Sequence, residues 1–246
     1  MLADLTIWLN HFEYHSLHPR RVPDELSDAL TVEERRLIAS SIARFQLGEQ
    51  SEGTTLRAAA RRFAHSGGRP ELERITELFI REEQRHAALL REFMIDHAIP
   101  VKRRDWSAVA FTGLRRLGGF EFRLYVLLVA ELIGNVYYRA LEVATGCQRL
   151  KVLCRTLVAD ELAHVGFESQ LMLSLRAQKP ATAQWLIRLT HRCFFTCVAL
   201  VVWLTHRRVL RHVGYDLSGF LAACRAQYSF YLAWPAHAKT SSSPLH

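Results

Sequence analysis

Residues 158–164 read Val158-Ala159-Asp160-Glu161-Leu162-Ala163-His164, and residues 81–86 read Arg81-Glu82-Glu83-Gln84-Arg85-His86. Each stretch holds a Glu-x-x-His unit with a second acid just before it. Glutamate and histidine three positions apart share a helix face, so each unit can present one carboxylate and one imidazole to the same small volume. A chain with 12 histidines and 24 acidic residues will hold such a spacing by chance. Phase decides the matter instead.

Reading outward from the first stretch, Leu150, Leu153, Leu157, Glu161, His164, Glu168, Leu171 and Leu175 recur in steps of three and four. Leu72, Ile75, Phe79, Glu83, His86, Leu90 and Phe93 do the same around the second. Both units therefore fall on the apolar stripe of an amphipathic helix, where an uncompensated charge is costly. Each also follows a lone glutamate by a similar interval. Glu52 precedes Glu83 by 31 positions and Glu131 precedes Glu161 by 30, with Gly67-Gly68 and Gly146 midway. Folded about those turns, each helix pair returns its glutamates to one height. Glu52, Glu83, His86, Glu131, Glu161 and His164 are thereby predicted to converge on a two-metal site. Glu49 shares the face of Glu52 and is the alternative at that position. Glu168, on the stripe beyond Glu161, is read as an extra ligand, a proton donor or an acid near the bundle end. Oxygen donors with imidazole nitrogen suit iron or manganese better than a metal that prefers thiolate.

The helix boundaries follow from local signals. Thr31 with Glu34 three positions on is a capping box, opening a helix predicted to run unbroken to Ser66-Gly67-Gly68. Pro70 starts a second helix, which ends before Pro100; a third begins at Phe120 and ends near Gly146; a fourth ends before Pro180. A basic connector over residues 100–119 allows a short helix around Trp106 to Leu114. Further helices are predicted over about 3–18, 183–212 and 216–233. The fold class is all-α: two antiparallel helix pairs joined by a long crossover, over about 31–178, within a single domain spanning 1–236. Residues 237–246 are polar and predicted to be a disordered tail.

The order Glu, Glu-x-x-His, Glu, Glu-x-x-His on successive helices resembles the ferritin-like di-iron carboxylate superfamily, a composition of bundle-core ligands that the general rules for helix bundles also describe. Glu82-Glu83-Gln84-Arg85-His86 is similar to the Glu-Glu-x-Arg-His of acyl-carrier-protein desaturases, and Asp160-Glu161-Leu162-Ala163-His164 to the Asp-Glu-x-x-His of several dioxygen-activating members. The resemblance covers about residues 33–177 and implies two iron ions, or manganese or a mixed pair, with Glu83 and Glu161 as bridging ligands. It also implies that Asp160 supports His86 from behind and that Glu82 does so for His164. The activity implied is dioxygen activation by an oxygenase or oxidase, through hydroxylation, desaturation or N-oxygenation of an organic substrate, with a separate electron donor. The alternative is a ferroxidase or iron-binding protein without organic substrate. Neither the paired Cys-x-x-Cys motifs of rubrerythrin-like peroxidases nor the radical tyrosine of ribonucleotide reductase small subunits is present; Leu90 stands at the latter position. Asn135, Tyr137, Tyr138 and Phe79 are candidates to line a substrate pocket, or plain core.

Composition bounds the rest. The chain has 246 residues, half of them apolar, enough for a sizeable core. Five cysteines without a Cys-x-x-Cys pair read as reduced, and with an N-terminus unlike a signal peptide they give a cytoplasmic expectation. The net charge of +8 suggests an acidic partner such as a carrier protein. No basic stripe is interleaved with aromatics, so nucleic acid is not expected. Cys193 to Leu204 is the most apolar run and is too short to span a bilayer. It reads as a buried helix with an interfacial helix as the alternative, and no transmembrane segment is expected. A homodimer is compatible with all of this.

Overall fold

The computed structural model describes residues 5–50, 53–67, 69–116 and 118–240, with only the backbone for 112, 115, 116 and 234–240. These residues form nine helices and, among the described residues, no strand. The helices are α1 (Thr6–Leu17), α2 (Val32–Glu49), α3 (Thr54–Gly67), α4 (Glu71–Asp96), α5 (Trp106–Arg116), α6 (Phe120–Val143), α7 (Gln148–Ala177), α8 (Ala181–His212) and α9 (Leu217–Thr240).

The capping box at the start of α2 is complete. Thr31 Oγ1 accepts from the Glu34 amide at 3.1 Å, and Glu34 Oε2 accepts from the Thr31 amide at 2.9 Å. The helix predicted to continue unbroken to Gly67 does not. It divides into α2 and α3, with Gly53 at φ +64° just before α3. A Cβ at Gly53 would lie 2.5 Å from Ile80 Cγ2, so glycine serves two needs: a left-handed backbone and a close approach to α4. Helix α9 reaches Thr240, beyond the predicted end at 233.

Helices α6 and α7 form the most extensive pair; α4 packs on α1, α2, α3 and α7, and α6 also meets α3, α5, α8 and α9. Two apolar clusters result. One gathers Trp8, Phe12, Ile75, Phe79, Leu128, Phe167 and Tyr231; the other gathers Ile38, Ile42, Leu90, Phe93, Tyr137, Leu150 and Leu157. Side chains of both clusters reach the described acids and histidines: Phe79 of the first lies against His164, with ring centroids 4.4 Å apart, and Tyr138 of the second donates to Glu49.

Among the described residues, two helices, α6 and α8, could cross a membrane by length and composition. The α6 segment is almost wholly enclosed by its neighbours, as a central core helix is. The α8 segment is not, which corrects its reading as a buried helix. The stripe Phe195, Ala199, Trp203, His206, Val209 and Leu210 is what α8 buries, because α8 lies on the outside of α2, α6 and α9.

Candidate metal centre

Helix α4 supplies Glu82, Glu83 and His86, α6 supplies Glu131, and α7 supplies Asp160, Glu161, His164 and Glu168. His86 and His164 are fully enclosed, their ring centroids 5.8 Å apart. Each imidazole is pinned from both sides. Nε2 of His86 lies 3.1 Å from Asp160 Oδ2, and Nε2 of His164 lies 3.0 Å from Glu82 Oε2. A carboxylate accepting from Nε2–H fixes the tautomer and turns the Nδ1 lone pair inward.

Both Nδ1 atoms face the same two carboxylates. Glu161 places Oε1 3.3 Å from His86 Nδ1 and Oε2 3.2 Å from His164 Nδ1. Glu83 Oε1 lies 3.6 Å from His86 Nδ1 and 3.1 Å from that of His164. Glu131 Oε1 is 3.8 Å from His164 Nδ1. Ligand atoms of Glu83, Glu131, Glu161 and His164 all lie within 4.8 Å of one another, so these four residues could hold a metal ion.

The donors suit a cation. Glu83 Oε1, His86 Nδ1, both oxygens of Glu131 and both oxygens of Glu168 are buried without a hydrogen bond. Each buried, unpaired carboxylate costs several kcal/mol, more than the roughly 1.5–3 kcal/mol gained by burying one large apolar side chain. Protons take up part of that cost. Burial, followed by the charges of Glu168 and Glu161, pushes the Glu131 carboxyl well above its ordinary range, and Glu168 is raised likewise by burial. Burial alone would lower His86, but the carboxylates of Asp160, Glu161 and Glu83 around it raise it well above the usual imidazole value; His164 is raised in the same way by Glu161, Glu82 and Glu83. Glu83 is held below the usual carboxylate range, its burial overcome by the two imidazoles.

Glu52 lies outside the described residues. Glu49, its alternative, ends α2 against the cluster and accepts a hydrogen bond from Tyr138 Oη at 2.6 Å. Burial and then the charges of Glu83 and Glu161 raise its carboxyl strongly, which places it among the same anions.

Two supports were not legible beforehand. Asp160 is gripped by Arg20 from the segment after α1 and by Arg85 from α4, while Arg85 also donates to the Arg20 carbonyl at 2.8 Å. Arg85 sits inside the Glu82–His86 string, so half of this clamp was visible in the sequence; Arg20 carried no local signal. Helix α1 covers the centre, with Phe12 stacked over His164 at 5.8 Å and Trp8 Nε1 donating to Gln170 Oε1 at 2.6 Å.

A cavity of about 140 Å³ opens beside the carboxylates. Glu49, Glu83, Glu131 and Glu161 line its floor; Phe45, Leu127, Ile133, Phe111, Val198 and Val202 are among its mostly apolar walls, and Arg44, Ser107, Thr205 and His206 also border it. Of the four residues considered as pocket lining, Tyr138 borders this cavity. Phe79 packs on His164 instead, and Tyr137 Oη lies 3.0 Å from Ser41 Oγ and stacks on Phe45. Asn135 is buried with Oδ1 unbonded. No protein-family model, curated protein or solved structure matches the chain.

Proposed function

We propose that the chain is a ferritin-like di-metal protein that activates dioxygen for oxidation of an apolar organic substrate. The observation carrying this reading is the pairing of a closed carboxylate and imidazole cluster with an apolar cavity that reaches its edge. Glu83, Glu161, Glu131 and Glu49 would hold the ions through carboxylate oxygens and His86 and His164 through Nδ1, with Glu168 as a further donor beside Glu131. Iron matches these donors, and manganese is the alternative. When bound, such a redox-active pair supplies electrons for dioxygen reduction, replenished by a separate donor.

The protein's own part is to hold, orient and keep dry. Asp160 and Glu82 fix the imidazole tautomers; Arg20 and Arg85 keep Asp160 ionised and in place; Phe12 and Phe79 shield His164 from water. Tyr138, bonded to Glu49 at the cavity wall, is placed to pass a proton toward the cluster. A ferroxidase would call for a hydrophilic route for incoming cations, and apolar walls argue for an organic substrate instead.

The test is anaerobic loading with ferrous ion followed by oxygenated buffer. Wild type is expected to consume dioxygen and develop near-ultraviolet ferric absorption, and Glu161→Ala to do neither. Equal behaviour of the two proteins, or no uptake by wild type, refutes the proposal.

A further inference from the structure

Helix α8 has no aspartate or glutamate in its 32 residues, yet it carries Arg188, Arg192, Arg207, Arg208 and Arg211. Between the two arginine groups lies an uncharged apolar stretch. Its inward stripe packs on the bundle, while Leu186, Leu189, Cys193, Cys197, Leu200 and Leu204 form an outward seam at steps of three and four, all exposed. Trp185 is 62% exposed and Leu204 60%. A soluble surface rarely leaves an apolar seam of this length uncovered.

A second pair of exposed apolar residues lies on α5. Arg44 donates through Nε to Asp105, just before α5, at 2.9 Å, and through Nη1 to the Thr205 carbonyl of α8, also at 2.9 Å. This pair of bonds holds the start of α5 beside Thr205. There Trp106 and Val109 are 59% and 63% exposed, next to the exposed Arg103 and Arg104. Between α5 and α8 lies the cavity described above, lined from α5 by Ser107, Ala108 and Phe111 and from α8 by Val198, Val201, Val202 and Thr205.

We propose that the face formed by α8 and the start of α5 docks on an anionic lipid bilayer and sets the cavity between them against the lipid. Charge selects this occupant. A second copy of the chain would bring arginine-flanked seam against arginine-flanked seam, with no acid on either helix to compensate. An anionic bilayer offers phosphates to the arginines, an interfacial zone to Trp185 and Trp106, and hydrocarbon to the leucines. The docking itself does not require the metal centre; the delivery of a lipid-borne substrate to the cavity rests on the function proposed above.

The experiment is flotation of the purified full-length chain with phosphatidylcholine vesicles, with and without phosphatidylglycerol, alongside gel filtration and metal analysis. Wild type is expected to float with the anionic vesicles, to be released by high salt and to shift its tryptophan emission to the blue. Arg207→Glu/Arg208→Glu and Leu200→Glu/Leu204→Glu are each expected to bind at least about ten-fold more weakly while keeping wild-type helicity, and Glu161→Ala to bind as wild type. Absence of flotation with anionic vesicles overturns the proposal. So does wild-type binding by the Leu200→Glu/Leu204→Glu protein, a dimer that Leu204→Glu dissociates and vesicles do not, or recognition of an acidic protein without vesicle binding. A chain that takes up metal but does not float leaves the metal reading intact, and one that floats without taking up metal does the reverse.

Discussion

Asp160 holds His86 across the interface of two helices: its Oδ2 lies 3.1 Å from the histidine's Nε2, while the next residue, Glu161, faces the opposite nitrogen of the same ring at 3.3 Å. Consecutive acids on α7 thus approach one imidazole of α4 from its two sides. Glu82 and Glu83 repeat the arrangement around His164, at 3.0 and 3.1 Å. The centre is built twice from one design, so its two halves should respond alike to parallel changes.

Asp160→Asn and Glu82→Gln should each weaken metal binding by about 10- to 100-fold, the usual effect of losing the acid behind a ligand histidine. Asp160→Asn should be the stronger of the two, because it also strands Arg20 and Arg85. Competition with a chromophoric chelator measures both. Unchanged affinity in Asp160→Asn would mean that His86 does not need its rear support.

Chelation should lower the melting temperature, since an ion that binds only the folded chain stabilises it by about 2.7 kcal/mol at a concentration 100 times its dissociation constant. The imidazoles and carboxyls must shed protons to bind, so loading should release protons and affinity should rise with pH. Calorimetry in two buffers of different ionisation enthalpy reads this directly, and an identical heat in both would contradict it.

Gly53→Ala should cost roughly 1–3 kcal/mol, combining a left-handed backbone with a clash against Ile80. Urea denaturation measures it. Trimming the neighbour as well, in Gly53→Ala/Ile80→Ala, should relieve the clash but not the backbone strain, so the double variant should cost less than the two single changes added together.

His206 predicts the acid limb of stability. Burial, then the nearby Arg44 charge, lowers its imidazole to about 3, and Ser41 Oγ lies 2.7 Å from Nδ1. The unfolded chain takes up the proton below about 6.5, whereas the folded chain resists until near 3. The stabilisation is therefore fully present above pH 6.5 and is lost as pH falls toward 3, by up to a few kcal/mol. His206→Gln should show a flatter decline between pH 7 and 4 in melting temperature. A decline as steep as wild type would remove His206 from this role.

The all-α class and most helix boundaries were legible because capping signals, prolines and apolar phase are local. So was the convergence of Glu83, Glu131, Glu161 and His164, since intervals about a turn encode height along a hairpin. The break at Gly53 was not. A glycine inside an amphipathic pattern looks tolerable until the distance from its backbone to Ile80 is known. At the first glutamate, Glu49 stands among the cluster's anions, and Glu52 lies outside the described residues. Arg20, the cover given by Phe12 and the walls from α5 and α8 arise only from tertiary packing, and no spacing in the chain records them.

The most direct test of the proposed two-metal centre is the number of ions retained per chain after reconstitution and desalting, for wild type, Glu161→Ala and His164→Ala, with circular dichroism confirming helicity. Two ions, iron or manganese, are expected in wild type and fewer than one in each variant. Two ions retained in both variants, or none in wild type with either metal, would contradict it.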